Sequence, residues 1–432
     1  MKKLISLALT AVLAAALFAG CGSSSSTSQP AAEGESRAAQ TGEDVTLQVL
    51  WFSDGTEGEV MMELVEMYQE ENPNVTIELI ETPYDDVETK LKNMLAAGAP
   101  PALARVSSYA PFANQLLDLT EYTEAGEAFR DNFTEAVATD IDGRMVAAPM
   151  DITANGMLYN KTAFEKAGVS VPTSPDDVWT WDEYIEAVKT VMEKGGVKYG
   201  LVYDRSPFRF ATMLYQFGGS ILNEDMTESR FNSPENIKAI QTFVDMHKEG
   251  IIPNSVWLGS EDPNNLFRSG QIATHIGGSW MINNYRTQIT DFEWGVTYLP
   301  KGTQRSSIPG GKWLCAFQGS GVEEEAAKFI EWISQPEQNA YFCEKNYFLS
   351  PVVGNEELNY DFGADMFAIF ADELANTSPV PGAEWGYQEL TSLFQNDLRD
   401  KLAETLNGQY SVEEYAAEMD EIITDALAEL NG

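Results

Sequence analysis

The sequence predicts an α/β protein with two lobes, each built on a central sheet with helices on its faces. Strand-like and helix-like segments alternate from Val45 onward, and this rhythm predicts parallel strands joined by helices that cover the sheet. The part with this pattern, residues 44–432, is longer than one ordinary domain, so two lobes are expected.

The chain starts with a segment typical of export. Lys2 and Lys3 precede an almost wholly apolar run at 4–19, which is shorter than the roughly 20 residues that cross a bilayer as a helix. We therefore expect residues 1–20 to be a signal peptide that is removed, not a permanent anchor.

Cys21 directly follows this run, and the small and apolar residues before it resemble the cleavage site of bacterial lipoprotein signals. The resemblance implies that a diacylglycerol is attached to the Cys21 thiol, and that this lipid anchor holds the mature chain at a membrane surface. Ordinary secretion with cleavage nearby is the alternative. Residues 21–43 are rich in Ser, Ala and Gly without apolar periodicity, so a disordered tether is expected.

Charge excludes one class of partner. The chain has 27 basic and 67 acidic residues and a net charge of −40, so its surface repels nucleic acid and anionic lipid headgroups. No nucleic-acid partner is expected. The aromatic fraction of 11% nevertheless indicates a folded body, not an acidic disordered chain.

Residues that bind metals or act as nucleophiles are scarce. The two histidines, His247 and His275, argue against a zinc or histidine-rich site, and no Gly-x-Ser-x-Gly motif surrounds a serine. We expect no metal and no cofactor. After Cys21 the remaining cysteines are Cys315 and Cys343, which either pair outside the cell or stay as buried free thiols.

The first part of the body predicts three strands that alternate with three helices. In chain order the predicted elements are strand 45–52, helix 58–71, strand 75–80, helix 84–97, strand 103–106 and helix 109–117. Ligands of such parallel sheets lie beyond the carboxyl ends of the strands. The candidates for ligand contacts at those ends are Ser53, Asp54, Tyr84, Ser107 and Ser108. Helix capping is the structural alternative for the serines and the aspartate.

Turn and capping signals organise the rest of the chain. Asp142-Gly143 predicts a tight turn, Thr180 and Glu183 form a capping box, and Ser233-Pro234 opens a helix. A second capping box begins at Ser411. Further strands are expected at 145–149, 157–160, 199–203, 271–276, 293–298 and 313–317, and a helix pair at 323–334 and 336–345.

Several short motifs follow one another in a characteristic order. They are Leu158-Tyr159-Asn160-Lys161, Trp181-Asp182-Glu183, Tyr215-Gln216-Phe217-Gly218-Gly219, Gly277-Gly278-Ser279-Trp280, Trp294-Gly295-Val296-Thr297-Tyr298-Leu299-Pro300 and Glu325-Ala326-Ala327-Lys328-Phe329-Ile330. Together they resemble the extracellular solute-binding proteins of ABC importers, in the carbohydrate-binding group that includes maltose-binding protein. The resemblance covers the whole chain.

This resemblance implies a periplasmic-binding-protein-like fold, in which hinge strands join two lobes and the ligand lies in the cleft between them. The implied N-lobe consists of residues 44–152 and 312–347, and the implied C-lobe of residues 153–311 and 348–432. The chain is expected to cross between the lobes near 150–155, 310–313 and 349–352.

A sugar presents apolar C–H faces, which pack on aromatic rings, and hydroxyl groups, which need directed hydrogen bonds. By resemblance Trp280 is the main aromatic platform, because the preceding glycines allow a ligand to approach the backbone. The resemblance also gives Phe208, Arg209 and Trp385 as candidates, and Trp313 is a further candidate because it lies at the second crossing. Packing in the core or under the hinge is the alternative for each tryptophan.

The polar candidates carry similar alternatives. Asp151 and Asn155 lie at the first crossing, where hinge hydrogen bonding is the structural alternative, and Glu384 precedes a helix whose dipole it would favour. Arg205 and Arg209 would suit an anionic group on the ligand, such as a uronate or a sugar phosphate. Pairing with local carboxylates is the alternative.

The expected function is therefore that of a monomeric binding lipoprotein on the outer face of the cytoplasmic membrane. It would capture a sugar or oligosaccharide, close around it and present it to the permease subunits of an ABC importer, without catalysis. The alternatives are a secreted glycoside hydrolase that uses two carboxylates and a binder of an anionic sugar derivative. A metal carrier on the same fold is a further alternative, but the chain contains no Tyr-Tyr pair.

Overall fold

The computed structural model describes residues 44–53, 56–134 and 140–431. The predicted signal peptide, Cys21 and the predicted tether lie outside these residues, as does the candidate site residue Asp54. Within the described residues, the strands form a five-stranded sheet, a four-stranded sheet and a two-stranded ribbon.

The five-stranded sheet is the centre of the first lobe. Its strands are β1 (Val45–Trp51), β2 (Val75–Glu81), β3 (Leu103–Val106), β6 (Ala148–Thr153) and β11 (Gly310–Ala316), in the spatial order β2-β1-β3-β11-β6. The strand β1 pairs in parallel with β2 and β3, which confirms the alternation predicted for this part of the chain. The strand β11 comes much later in the sequence and pairs antiparallel with both β3 and β6.

The four-stranded sheet is the centre of the second lobe. Its strands are β7 (Asn155–Asn160), β8 (Tyr199–Tyr203), β9 (Ile272–Gly278) and β10 (Trp294–Thr297), in the spatial order β10-β7-β9-β8. The strand β7 is antiparallel to both of its neighbours, and β8 is parallel to β9. The separate ribbon consists of β4 (Asp140–Ile141) and β5 (Arg144–Met145).

Helices cover both sheets and bury an apolar core in each lobe. They are α1 (Glu57–Glu71), α2 (Tyr84–Ala96), α3 (Leu119–Tyr122), α4 (Lys161–Ala167), α5 (Trp181–Lys194), α6 (Pro207–Gln216), α7 (Pro234–Lys248), α8 (Asn254–Trp257), α9 (Pro263–Arg268), α10 (Met281–Gln288), α11 (Glu323–Ile333), α12 (Pro336–Asn346), α13 (Ala364–Ala375), α14 (Pro379–Gly386), α15 (Gln388–Leu406) and α16 (Val412–Asn431). Helix α11 packs on the first sheet, α13 packs on β7 and β10, and α15 and α16 pack on α7.

The chain passes between the sheets within very few residues. The strand β6 ends at Thr153 in the first sheet, and β7 begins at Asn155 in the second, so Ala154 separates them. The return passage comes after β10 and ends where Gly310 pairs with Thr153. Leu349, after α12, pairs with Ile152 of β6. Three segments of the chain therefore run side by side where the two sheets meet.

The structure confirms two local features that the sequence predicted, a capping box and a tight turn. The Thr180 hydroxyl accepts a hydrogen bond from the Glu183 N–H, and the Glu183 carboxylate accepts one from the Thr180 N–H, which completes the predicted capping box. Asp142 and Gly143 both have positive φ, as a tight hairpin turn requires. The helix predicted at 109–117 is shorter and more tightly wound than expected: Ala110–Gln115 form a 3₁₀ helix, in which the Phe112 N–H donates to the Tyr109 carbonyl three residues back.

Cys315 and Cys343 are both buried free thiols, which decides between the two alternatives that the sequence left open. Burial raises the pKa of both thiols, so neither is a reactive thiolate at neutral pH. Within the described ranges, no helix has the length and apolar character needed to cross a bilayer. In the same ranges, no three His, Cys, Asp or Glu side chains are arranged to hold a metal ion.

Candidate functional site

A cleft of about 1500 Å³ lies between the two lobes. Its lining comes from the segments that follow β1, β2 and β3 in the first lobe, and from the start of α6 and the whole length of α10 in the second. The passage strand β11 and the helices α14 and α15 complete it. Eight of the predicted site residues are in this lining: Tyr84, Ser107, Ser108, Phe208, Arg209, Trp280, Trp313 and Trp385.

Trp280 is held in the cleft by its own strand. It follows β9, and its indole lies against Gly278, where an added Cβ would come within 1.8 Å of the ring. A glycine is thus needed at 278 for the indole to fold back over the strand. The ring is half-buried and packs against the cores of both lobes. The Arg209 guanidinium lies over one indole face, 4.6 Å from the ring centroid, so a ligand can contact only the surface that Arg209 leaves free.

Arg209 is committed to partners in the second lobe. Its Nε lies 3.4 Å from Asp204 Oδ2, and its Nη1 donates to Asn155 Oδ1. The other Asp204 oxygen is 3.0 Å from Nε2 of the fully buried His275. Burial acts to raise the pKa of Asp204, but the bond with His275 and the charge of Arg209 hold it below its usual value. The arginine is therefore neutralised within the protein, not left free for a ligand anion.

Two further aromatic pairs shape the cleft. Phe208 and Trp385 make an edge-to-face contact with ring centroids 5.2 Å apart. Trp313 makes a similar contact with the buried Tyr109 at 5.4 Å, and its indole N–H has no hydrogen-bond partner among the described residues. Edge-to-face packing fixes such rings without covering all of their faces. These rings supply apolar surface at two different places along the cleft.

The strand ends of the first lobe contribute polar and aromatic groups. Tyr84 is 48% exposed and packs its edge on Phe52. Ser107 is exposed, whereas the Ser108 hydroxyl donates to Gln388 Oε1 of the second lobe at 2.9 Å. Both serines follow β3, where the sequence placed them.

Four predicted site residues are described but are not in the lining. The Ser53 hydroxyl accepts the indole N–H of Trp51 at 3.2 Å. Asp151 is fully buried 3.5 Å from Arg105, and burial raises its pKa. Asn155 is buried behind Arg209. Asp151 and Asn155 are thus buried, whereas Ser53 is half-buried.

Glu384 is the fourth of these residues, and its role is structural. It lies inside α14, not in front of a helix as the sequence suggested. Its carboxylate accepts the Tyr215 hydroxyl at 2.6 Å and the backbone N–H groups of Ile221 and Leu222. Burial raises the pKa of this carboxyl, and the hydrogen bonds oppose that effect. Glu384 thereby ties α14, which carries Trp385, to the segment after α6.

The sequence reasoning missed a second set of lining residues. These are uncharged polar side chains on two helices: Asn283, Asn284, Thr287 and Gln288 on α10, and Gln388, Thr391, Ser392 and Gln395 on α15. Both sets recur at intervals of three to four residues, the spacing of one helix face. The sequence did contain a signal for these residues, namely two helix faces without charges in a chain in which 22% of the residues are charged.

The sequence matches a known family over residues 63–361, and that family is described as bacterial extracellular solute-binding protein. The chain belongs to this family. Its fold agrees with the match: the solved structure of an ABC substrate-binding protein of Listeria monocytogenes in complex with cycloalternan has a TM-score of 0.77 and 24% identity. That similarity covers 89% of the present chain and 100% of the other.

Two curated relatives show the range of solute-binding proteins to which this one is similar. The arabinooligosaccharide-binding protein of Bacillus subtilis (strain 168) is 24% identical over 328 residues, covering 72% of this chain and 73% of the relative. The sn-glycerol-3-phosphate-binding periplasmic protein of Salmonella typhimurium is 26% identical over 385 residues, covering 79% and 84%. The ligands for which these two relatives are named differ in charge.

Proposed function

We propose that this solute-binding protein captures a neutral sugar or oligosaccharide in the cleft and delivers it to the permease of an ABC importer. The observation that carries the proposal is the combination of aromatic rings and uncharged amide and hydroxyl groups around one large cleft. Aromatic faces suit the C–H surfaces of a sugar, and amides offer both donors and acceptors to its hydroxyl groups.

Charge supports a neutral ligand over an anionic one. The two arginines that would suit an anion each have a carboxylate partner: Arg209 pairs with Asp204, and Arg205 lies 3.2 Å from Asp400. Arg205 is not in the cleft lining. The other cation of the described lining is Lys312, and the lining also contains the carboxylates Glu88 and Glu57, of which Glu57 lies 3.8 Å from the buried Arg105. A phosphate or uronate would therefore enter a site without an excess of positive charge.

The positions at which the chain passes between the two sheets suggest the boundaries of the lobes. We propose an N-lobe of residues 44–152 and 312–347 and a C-lobe of residues 153–311 and 348–432, which separate close to the ends of β6 and β11. The packing of α13 on β7 and β10 supports the inclusion of the C-terminal helices in the second lobe. A ligand in the cleft would contact both lobes only when they are closed, and so would favour the closed state.

We propose that the protein is a monomer and has no catalytic role. Its family consists of binding proteins, which supports capture over hydrolysis as the function. The lipid on Cys21 would hold it at the outer face of the cytoplasmic membrane, beside the permease. This placement rests on the resemblance of the leading segment to lipoprotein signals.

The deciding experiment is calorimetry and thermal melting of the full-length protein with a panel of solutes. The panel contains arabino- and malto-oligosaccharides, lactose, oligouronates and glycerol 3-phosphate. A neutral saccharide should give heat and, at 100 times its Kd, add about 2.7 kcal/mol to the free energy of unfolding. Binding of the phosphate or uronate alone, or of nothing in the panel, would refute the proposal, and turnover of a saccharide would refute the absence of catalysis.

A further inference from the structure

The cleft-facing side of α10 carries four uncharged polar side chains in sequence after Trp280. Asn283 and Thr287 form one i, i+4 pair, and Asn284 and Gln288 form another, so the four share one helix face. All four line the cleft. We call this surface the α10 face.

Of the remaining residues of α10, the apolar Met281 also lines the cleft, whereas Ile282, Tyr285 and Arg286 do not. Ile282 and Tyr285 are completely buried in the core of the second lobe. Arg286, the one charged residue of this helix, places its guanidinium 4.5 Å from the ring centroid of Tyr347 and 3.1 Å from Asp361. The Arg286 charge is thus paired outside the α10 face, and the side chains that α10 places in the cleft lining are all uncharged.

The α10 face has hydrogen-bonding capacity that the protein does not use. The Oδ1 atom of Asn284 is covered from solvent and has no hydrogen-bond partner among the described residues. Asparagine and glutamine amides each offer two donors and one acceptor group, and a sugar hydroxyl can serve either kind. A covered amide oxygen without a partner is unfavourable unless a ligand supplies the donor.

The dimensions of the cleft exceed the needs of a single sugar ring. At a rise of 1.5 Å per residue, the lining residues from Trp280 to Gln288 extend over about 12 Å along the helix axis. The volume of about 1500 Å³ lies above the roughly 300–1,000 Å³ typical of sites for single small molecules. Polar lining therefore continues well past the aromatic platform.

We propose that the α10 face is a subsite for additional sugar rings, so that the ligand is a neutral oligosaccharide and not a monosaccharide. This inference rests on the proposed function, since it assigns the length of the saccharide that the same cleft takes. The ring nearest Trp280 would contact the indole, and the following rings would exchange hydrogen bonds with Asn283, Asn284, Thr287 and Gln288.

The test is a length series of neutral probes, arabino- and malto-oligosaccharides of one to five rings, titrated into the full-length protein. For at least one series, the wild-type protein should bind the trisaccharide at least tenfold more tightly than the monosaccharide. In the N283A/N284A variant, the ratio of the trisaccharide affinity to the monosaccharide affinity should be at least tenfold smaller than in the wild type. The matched control is N232A, which removes an exposed amide outside the cleft lining and should retain the wild-type gain.

A second variant guards against a folding defect in the first. Thr287 and Gln288 are exposed, so T287V/Q288A should fold normally and reduce the same gain. If saccharides bind with an affinity that does not rise with length, or if both variants keep the full gain, this inference fails while the proposed function stands. If no saccharide binds at all, the proposed function fails, and the inference fails with it.

Discussion

The side-chain carbonyl oxygen of Gln388 in the second lobe lies 2.9 Å from the hydroxyl of Ser108 in the first. The same oxygen accepts the backbone N–H of Tyr109 at 3.0 Å and that of Ala110 at 3.4 Å. One amide at the start of α15 thus satisfies three donors of the segment that follows β3. This contact joins the two lobes, and both side chains belong to the cleft lining.

Replacing Gln388 should shift the protein toward an open state. Q388A removes the shared acceptor, and net hydrogen-bond contributions of about 0.5–1.5 kcal/mol each predict a larger radius of gyration for the unliganded protein and roughly tenfold weaker ligand binding. Small-angle scattering and calorimetry measure both effects. Q388E keeps an acceptor at this place and serves as the control. Unchanged scattering and affinity for Q388A would show that the contact does not hold the lobes together.

Gly278, two residues before Trp280, provides a test of the aromatic platform. A Cβ at 278 would overlap the indole, so G278A should displace the ring and weaken saccharide binding at least tenfold, about 1.4 kcal/mol. W280A should weaken it by at least as much. Because both changes act through the same ring, G278A should have no additional effect in the W280A background. An additional loss in the double variant would mean that Gly278 acts by another route.

His247 should make stability depend on pH. Its Nδ1 donates to Asn254 Oδ1 at 2.8 Å, Nε2 has no partner among the described residues, and burial lowers its pKa to about 4. Neutral His247 therefore favours the fold above the unfolded pKa of about 6.5, and protonation favours the unfolded chain as pH falls toward 4. The expected loss is about 3 kcal/mol.

The measurement for His247 is denaturant unfolding at pH 7.5 and pH 4.5. H247Q retains a donor for Asn254 but does not titrate, so its loss of unfolding free energy between these pH values should be about 2–3 kcal/mol smaller than that of the wild type. Carboxylates titrate in both proteins and cancel in the comparison. Equal losses in the two proteins would contradict the assignment.

The lipid anchor can be tested on Cys21. In bacteria that process lipoproteins, the wild-type chain should incorporate labelled fatty acid and remain with the membrane fraction until detergent is added. C21A should carry no label and should leave the membrane fraction, whereas S23A should behave as the wild type. A wild-type chain without label would favour ordinary secretion instead.

Several features of the fold were predictable because they depend on neighbouring residues. The capping box at Thr180 and Glu183 needs only a spacing of three residues, and the turn at Asp142-Gly143 needs only two residues that tolerate positive φ. The alternation of strands and helices likewise predicted β1, β2 and β3 in a parallel arrangement. The helix after Tyr109 was predicted, but not that it is a short 3₁₀ helix, because the local apolar pattern does not show how tightly a segment winds.

A position in the cleft lining was predictable where residues follow a strand end or a glycine motif. Ser107, Ser108 and Trp280 belong to this group, and all three are in the cleft lining. Glu384 shows the limit of this reasoning: it neighbours Trp385 in sequence, but neighbouring positions on a helix point in different directions, and its carboxylate turns inward to Tyr215. The α10 face was missed because asparagine and glutamine on a helix normally face water.

The sequence by itself determined the alternation of strands and helices, the short motifs that mark the solute-binding family, and the tryptophan that follows the glycines. Only the tertiary structure decided which charges remain available in the cleft. Arg209 is paired with Asp204, and Asp204 in turn contacts His275 from another strand. Such pairing depends on distances between elements that are far apart in the chain, and no local pattern of residues encodes those distances.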